Sequence, residues 1–225
     1  MTQHARLQQK TLRTLTIAQI GAGVGTAGTV AAGSLLVASI TGSEELAGLA
    51  QTFSVLGAAA LALPLARLTL RGGRRLALSF GYAAGVIGSL FAILGGVNSN
   101  IYLMLTGSFL VGSASASAFQ ARFAAIDLVE EAHRAKQLSY VVWGSTVGAV
   151  TGPNLMAPAG DLAERFGLPR LTGPYMISAS TLTIASLLIF LFLKPDPYLT
   201  ALGEGKSYAS GKKHIKEALS DIWHK

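Results

Sequence analysis

Few side chains in this sequence could do chemistry, and most of those that could lie inside long apolar runs. Gln19, Gln51, Gln120, Arg122, Trp143 and Asn154 sit there, together with Ser108, Ser113, Ser115 and Ser117 along one run. Desolvating an amide or a charge is costly, so such a group at membrane depth points to a binding or transport role. Gln19, Ser108, Gln120, Trp143 and Asn154 are therefore candidates for lining a solute cavity. The serines have a second reading, bonding back to their own helix or gluing helices together. A basic knot, RGGRR, places Arg71, Arg74 and Arg75 around Gly72 and Gly73, between two apolar runs. No constellation suits catalysis. His4, His133, His214 and His224 lie outside the runs with no metal-ligand spacing, and no Ser-His-Asp set carries a local signature. The stretch GAGVGTAG has the look of a dinucleotide loop, but that motif needs a preceding strand and a following acid. No enzyme activity, metal or cofactor is expected.

The elements that must position these residues follow from composition. Only 13% of the 225 residues are charged, 51% are hydrophobic, and mean hydropathy is +0.49. Soluble domains carry about 25% charged residues. There are no cysteines, hence no disulfide framework and no thiolate metal site. A membrane-crossing helix needs about 20 mostly apolar residues. Six segments meet that need, at about 14–40, 46–70, 76–97, 101–126, 138–159 and 171–193. They are apolar or small on every face, whereas helices of a soluble bundle carry a charged face. The first is too long for the core of a signal peptide. The expected fold is all-α: a polytopic membrane protein of six transmembrane helices. Residues 1–13 form an N-terminal arm, 14–194 the bundle, and 195–225 a linker followed by a basic amphipathic helix from Lys212 to Trp223.

Lysine and arginine orient the bundle. With the N-terminus inside, every Lys and Arg except Arg165 and Arg170 falls on the inner side. Both termini are then cytoplasmic and RGGRR is an inner loop. The net charge of +7 is thus dispersed over inner loops and tail rather than gathered into a nucleic-acid surface, so the lipid bilayer is the expected partner and nucleic acid is not. Glycine spacing adds a packing surface. Gly144, Gly148 and Gly152 recur every fourth residue before Pro153, and Gly21 and Gly25 do the same in the first run. Such stripes let helices approach closely in lipid, and Pro153 removes a backbone donor and bends the helix.

Six spans, a short basic loop between the second and third, and a Gly-Pro stripe in the fifth resemble the N-terminal half of a major facilitator superfamily transporter. The loop signature of that family is Gly-x-x-x-Asp-Arg/Lys-x-Gly-Arg/Lys-Arg/Lys. Arg71, Gly73, Arg74 and Arg75 match it, while Ala66 and Leu70 replace its first glycine and its aspartate. The fifth span matches the antiporter signature at Gly144, Gly148, Gly152 and Pro153, but NLMAPAG stands where a glycine pair usually closes it. Ser108 occupies the place of an arginine found in many proton-coupled members.

The resemblance implies a secondary transporter that moves a small solute by alternating access across the inner membrane. It also implies an inner gate of charges, for which Arg71, Gly73, Arg74, Arg75, Arg122 and Asp127 are the candidates, with Arg71 paired to Asp127 directly or through a water. Members carry twelve spans in two halves, with the cavity between them. Six spans therefore imply a half-transporter that works as a homodimer or with a second six-helix half. The other reading is a non-transporting membrane subunit, or a fragment serving assembly or regulation.

Overall fold

A computed structural model describes residues 3–129 and 131–203, with no strand among them. Helix α1 (Gln3–Thr41) is followed by α2 (Leu49–Val97), α3 (Ile101–Ala124), α4 (Arg134–Asn154), α5 (Met156–Arg165), α6 (Gly173–Phe192) and a short α7 (Pro197–Gly203). Among the described residues, four segments are long and apolar enough to cross a membrane: Leu7–Thr41, Leu49–Val97, Ile101–Ala124 and Arg170–Gly203. The amphipathic helix expected from Lys212 to Trp223 lies outside the described residues.

Helix α2 is not a straight rod. At 1.5 Å per residue its 49 residues would extend about 73 Å, twice the length of the 24-residue α3. Yet both of its ends pack on α3, Gly57 against Phe109 and Gly95 against Met104. It folds back at Gly73, whose φ of 82° and ψ of 174° leave the helical region. Limbs 49–72 and 74–97 therefore flank α3 from two sides. Asn100 starts α3 by accepting hydrogen bonds from Tyr102 N and Leu103 N at 3.0 and 3.2 Å, an N-cap that satisfies otherwise orphaned donors.

The interior is built from small residues. Ala18, Ala22, Ala114, Ala121 and Ala185 surround Leu15, Leu78, Tyr82 and Ile189 at one end, and Ala32, Ala50, Ala92, Met104 and Tyr175 meet at the other. Large apolar side chains point outward instead, among them Leu63, Leu70, Phe80, Trp143 and Phe166. A soluble protein does not present so much contiguous apolar surface. Buried hydroxyls join the helices: Ser89 Oγ donates to Ser178 Oγ at 3.0 Å, and Ser113 Oγ donates to Gly81 O at 2.7 Å.

The glycine stripe of α4 lies on α1. A Cβ at Gly148 would come within 2.7 Å of Val24 N, and one at Gly152 within 2.8 Å of Val24 O. Gly21 and Gly25 face α6 instead, where a Cβ at Gly25 would lie 2.6 Å from Thr181 Oγ1. One face of α1 thus seats α4 and another seats α6.

Three expected boundaries move. The arm expected over 1–13 is helical from Gln3 and continuous with α1, and Leu7 and Leu12 within it extend the apolar run. Helix α4 begins at Arg134 rather than 138, since Arg134 to Gln137 are good helix formers. The segment expected over 138–159 breaks at Leu155, just after Pro153, and α5 then carries the chain to Arg165. Proline lacks the backbone donor needed to bond back through the preceding turn.

Candidate functional site

Two polar regions stand out. The first surrounds the turn at Gly73. There the backbone N of Arg75 donates to Asp196 Oδ2 at 2.7 Å, and Asp196 Oδ1 accepts from Tyr198 N and Leu199 N at 3.0 and 3.2 Å. One carboxylate therefore caps α7 and holds the turn of α2. Next to it, Arg74 Nε donates to Asp127 Oδ2 at 2.9 Å and Nη2 to Oδ1 at 3.3 Å. This bidentate pair is enclosed, with side-chain exposures of 14% for Arg74 and 7% for Asp127. The Arg74 guanidinium also lies 5.7 Å from the Tyr198 ring and 6.0 Å from the Phe123 ring, within reach of a cation–π attraction. Burial pushes the Asp127 carboxyl above its ordinary value and Asp196 adds to the rise; Arg74 opposes it without cancelling it.

The pairing expected between Arg71 and Asp127 is not the one formed. Arg71 ends limb 49–72 and is exposed, whereas Arg74 opens limb 74–97, which runs antiparallel beside α3. The turn at Gly73 separates their directions. Arg75 places its guanidinium 4.9 Å from the Phe190 ring of α6. Asp196 was not among the candidates. The only signal for it was its position in LKPDPYL, where an acid precedes a proline that can open a helix.

The second region is an open groove of about 310 Å³ between α1, α3 and α4. Gln19 and Thr26 come from α1, Ser115, Phe119 and Arg122 from α3, and Ser145 and Thr146 from α4. Ser115, Phe119 and Arg122 share a face because they are four and three residues apart. Gln19 is fully buried and fixed: its Nε2 donates to Ala118 O at 2.9 Å, and its Oε1 accepts from Tyr82 Oη at 3.0 Å. Thr26 and Ser145 donate to Ala22 O and Val142 O of their own helices, each at 2.8 Å, leaving oxygen lone pairs as acceptors toward the groove. Arg122 stacks on Phe119 at 4.9 Å, and its Nε is enclosed without a hydrogen-bond partner. No Asp or Glu among the described residues lines this groove.

Of the five cavity candidates, Gln19 reaches the groove. Ser108 lines a small, partly open recess of about 20 Å³ beside Tyr175, Gln51 and Ser54, room for roughly one water. Gln120 turns to the other side of α3, where Thr69 Oγ1 donates to its Oε1 at 3.2 Å. Trp143 is exposed on α4, and Asn154 is exposed with its Nδ2 bonded to Val150 O at 2.7 Å. Arg122, grouped with the gate from its place near the end of α3, lies in the groove instead. Thr26, Ser145 and Thr146 escaped notice because a hydroxyl among glycines and alanines carries no directional signal in sequence.

The described residues thus form an all-helical bundle with an apolar exterior, a basic glycine turn and an open groove across three of its helices. The model of the Major Facilitator Superfamily matches residues 15–225, and the chain belongs to that superfamily. Two similar proteins from Bacillus subtilis (strain 168) carry the names uncharacterized MFS-type transporter YdeG and YddS. The first is 35% identical over 195 residues, covering 87% of this chain and 45% of YdeG. The second is 34% identical over 192 residues, covering 85% of this chain and 44% of YddS. The chain thus spans about half the length of these relatives. No solved structure matches it.

Proposed function

We propose that this chain is the N-terminal half of a secondary transporter, crossing the membrane six times and moving a small solute by alternating access. In this reading α2 crosses twice, once per limb, and α4 with the start of α5 supplies a crossing long enough in its 21 residues but too rich in Gly, Ser and Thr to stand out by hydropathy. Both termini face the cytoplasm of the inner membrane, as the distribution of Lys and Arg favours. The α1–α3–α4 groove is half of the solute path, and a second six-helix half, a further copy or a partner, closes it. The carrying observation is the groove itself: a buried amide, hydroxyls and a cation gathered on one open side of a bundle that carries many large apolar side chains on its exterior. The Arg74–Asp127 pair and the Asp196 clasp serve as the inner latch.

Alternating access is tested by labelling Ser115→Cys from each side of the membrane. The chain has no native cysteine, so the single thiol reports alone. Modification by an impermeant reagent both in intact cells and in inside-out vesicles is expected. Modification from one side only, under every condition, would remove alternating access and leave a static subunit.

A further inference from the structure

We propose that the α1–α3–α4 groove selects an anionic solute, one presenting a carboxylate or phosphate oxyanion, and that Arg122 is the residue that binds it. The inference rests on reading the groove as part of a solute path.

Charge bookkeeping within the bundle carries the argument. Arg74 is neutralised by Asp127. Arg170 is neutralised by Asp161 at 2.7 Å and Glu164 at 3.1 Å. Among the described lining residues Arg122 is the cation of the groove, and no carboxylate answers it. Its Nε is enclosed and lacks an acceptor. Such a donor is expensive to leave unpaired, and an unpaired charge at membrane depth is expensive as well. Two features reduce that cost without supplying an acceptor. The Phe119 ring lies under the guanidinium at 4.9 Å, and Arg122 sits in the last turn of α3, where a cation suits the carbonyl end of the helix. Arg75 also has an unpartnered Nε, but its guanidinium rests on Phe190 of α6, away from the groove.

An arginine stacked on a ring keeps its fork of donors in one plane. That plane matches the two oxygens of a carboxylate or phosphate, which it can hold bidentately. The rest of the lining is uncharged among the described residues: Thr26, Ser145 and Thr146 donate to carbonyls of their own helices and must turn to donate to an oxyanion, and Gln19 is pinned by Tyr82 and Ala118 rather than by a charge. A cationic solute would meet Arg122 with no acid to offset the repulsion.

The test uses two thiosulfonate reagents of similar size and opposite charge, sulfonatoethyl and trimethylammonioethyl, on Ser145→Cys in membranes. Rates are normalised to those at Ser99→Cys, in the exposed link between α2 and α3. The anionic reagent is expected to gain at least about tenfold over the cationic one in the groove. Arg122→Gln should bring the ratio back toward that of the reference, and Arg122→Lys should restore most of it while losing the fork geometry. Size-exclusion profiles establish that each variant is folded, and the lysine variant keeps the test decisive if the glutamine variant is not. Equal normalised rates that Arg122→Gln leaves unchanged would overturn the anion assignment while the solute-path reading stands. If neither reagent reacts at Ser145→Cys, the groove is closed to water and the path reading falls first, taking the anion assignment with it.

Discussion

Adjacent glycines in RGGRR should respond oppositely to the same substitution. At Gly73 the φ of 82° and ψ of 174° belong to a region that only glycine occupies without strain, worth about 1–3 kcal/mol for any other residue. A Cβ there would also lie on the Asp196 carboxylate, 2.7 Å from Oδ1. Asp196 would have to leave Arg75 N and the first turn of α7, costing roughly 0.5–2 kcal/mol by analogy with a lost N-cap. Gly73→Ala should therefore destabilise the protein by about 1.5–5 kcal/mol. At Gly72 a Cβ meets only Leu76 Cδ1 at 2.7 Å, the far end of a flexible side chain. Alanine is also the better helix former, by about 1 kcal/mol, so Gly72→Ala should be neutral or mildly stabilising.

The assay is thermal or denaturant unfolding of the detergent-solubilised protein, comparing both variants with the parent. Repeating Gly73→Ala in an Asp196→Ala background separates the two causes. The carboxylate collision disappears there, so the remaining loss should shrink to the backbone strain of about 1–3 kcal/mol. Equal midpoints for the two glycine variants would refute the assignment of the turn to Gly73. An undiminished cost in the Asp196→Ala background would refute the clasp.

Other outcomes follow from the same geometry. Gly148→Leu should lose at least about 1–3 kcal/mol or fail to assemble, because α1 leaves no room for even a Cβ; Val150→Leu, on an exposed position, should be tolerated, as read by yield of monodisperse protein. Asp127→Ala should cost up to about 3–5 kcal/mol by leaving Arg74 enclosed without its partner, and removing both side chains together, Arg74→Met with Asp127→Leu, should recover much of that loss in unfolding measurements. The raised Asp127 value means that the folded state holds this proton more tightly than the unfolded chain. Its contribution is then complete below 3.8, the ordinary value, and is lost as pH rises through the folded value. Asp127→Asn should flatten that part of the stability–pH curve. For orientation, Ser99→Cys should react with an impermeant thiol reagent outside intact cells and His133→Cys only after permeabilisation; the reverse pattern would invert the topology.

Much of the architecture was legible because lipid imposes a coarse requirement, about 20 apolar residues per crossing. RGGRR announced a tight basic turn, and the Gly144–Gly148–Gly152 stripe announced a close helix contact. What remained hidden is rotational. Spans that are apolar on every face give no hydrophobic period, so nothing in the sequence distinguished Gln120, which faces limb 49–72, from Arg122, which faces the groove. Two residues apart on a helix are about 200° apart in direction. Which arginine pairs with Asp127 was hidden for a related reason. Arg71 and Arg74 are equivalent by composition, and only the backbone reversal at Gly73 decides which one reaches Asp127. The start of α1 was also hard to read, since Gln3–Arg13 carries only Leu7 and Leu12 as large apolar residues among polar and charged ones.

The central claim is that the α1–α3–α4 groove is a water-filled path within an otherwise lipid-covered bundle. Single cysteines at Ser115 and Ser145, against Val55 and Leu63 on the apolar exterior, test it most directly in native membranes with a small water-soluble thiol reagent. The account predicts modification at Ser115→Cys and Ser145→Cys and none at Val55→Cys or Leu63→Cys. Labelling of the exterior pair with a silent groove pair would contradict it.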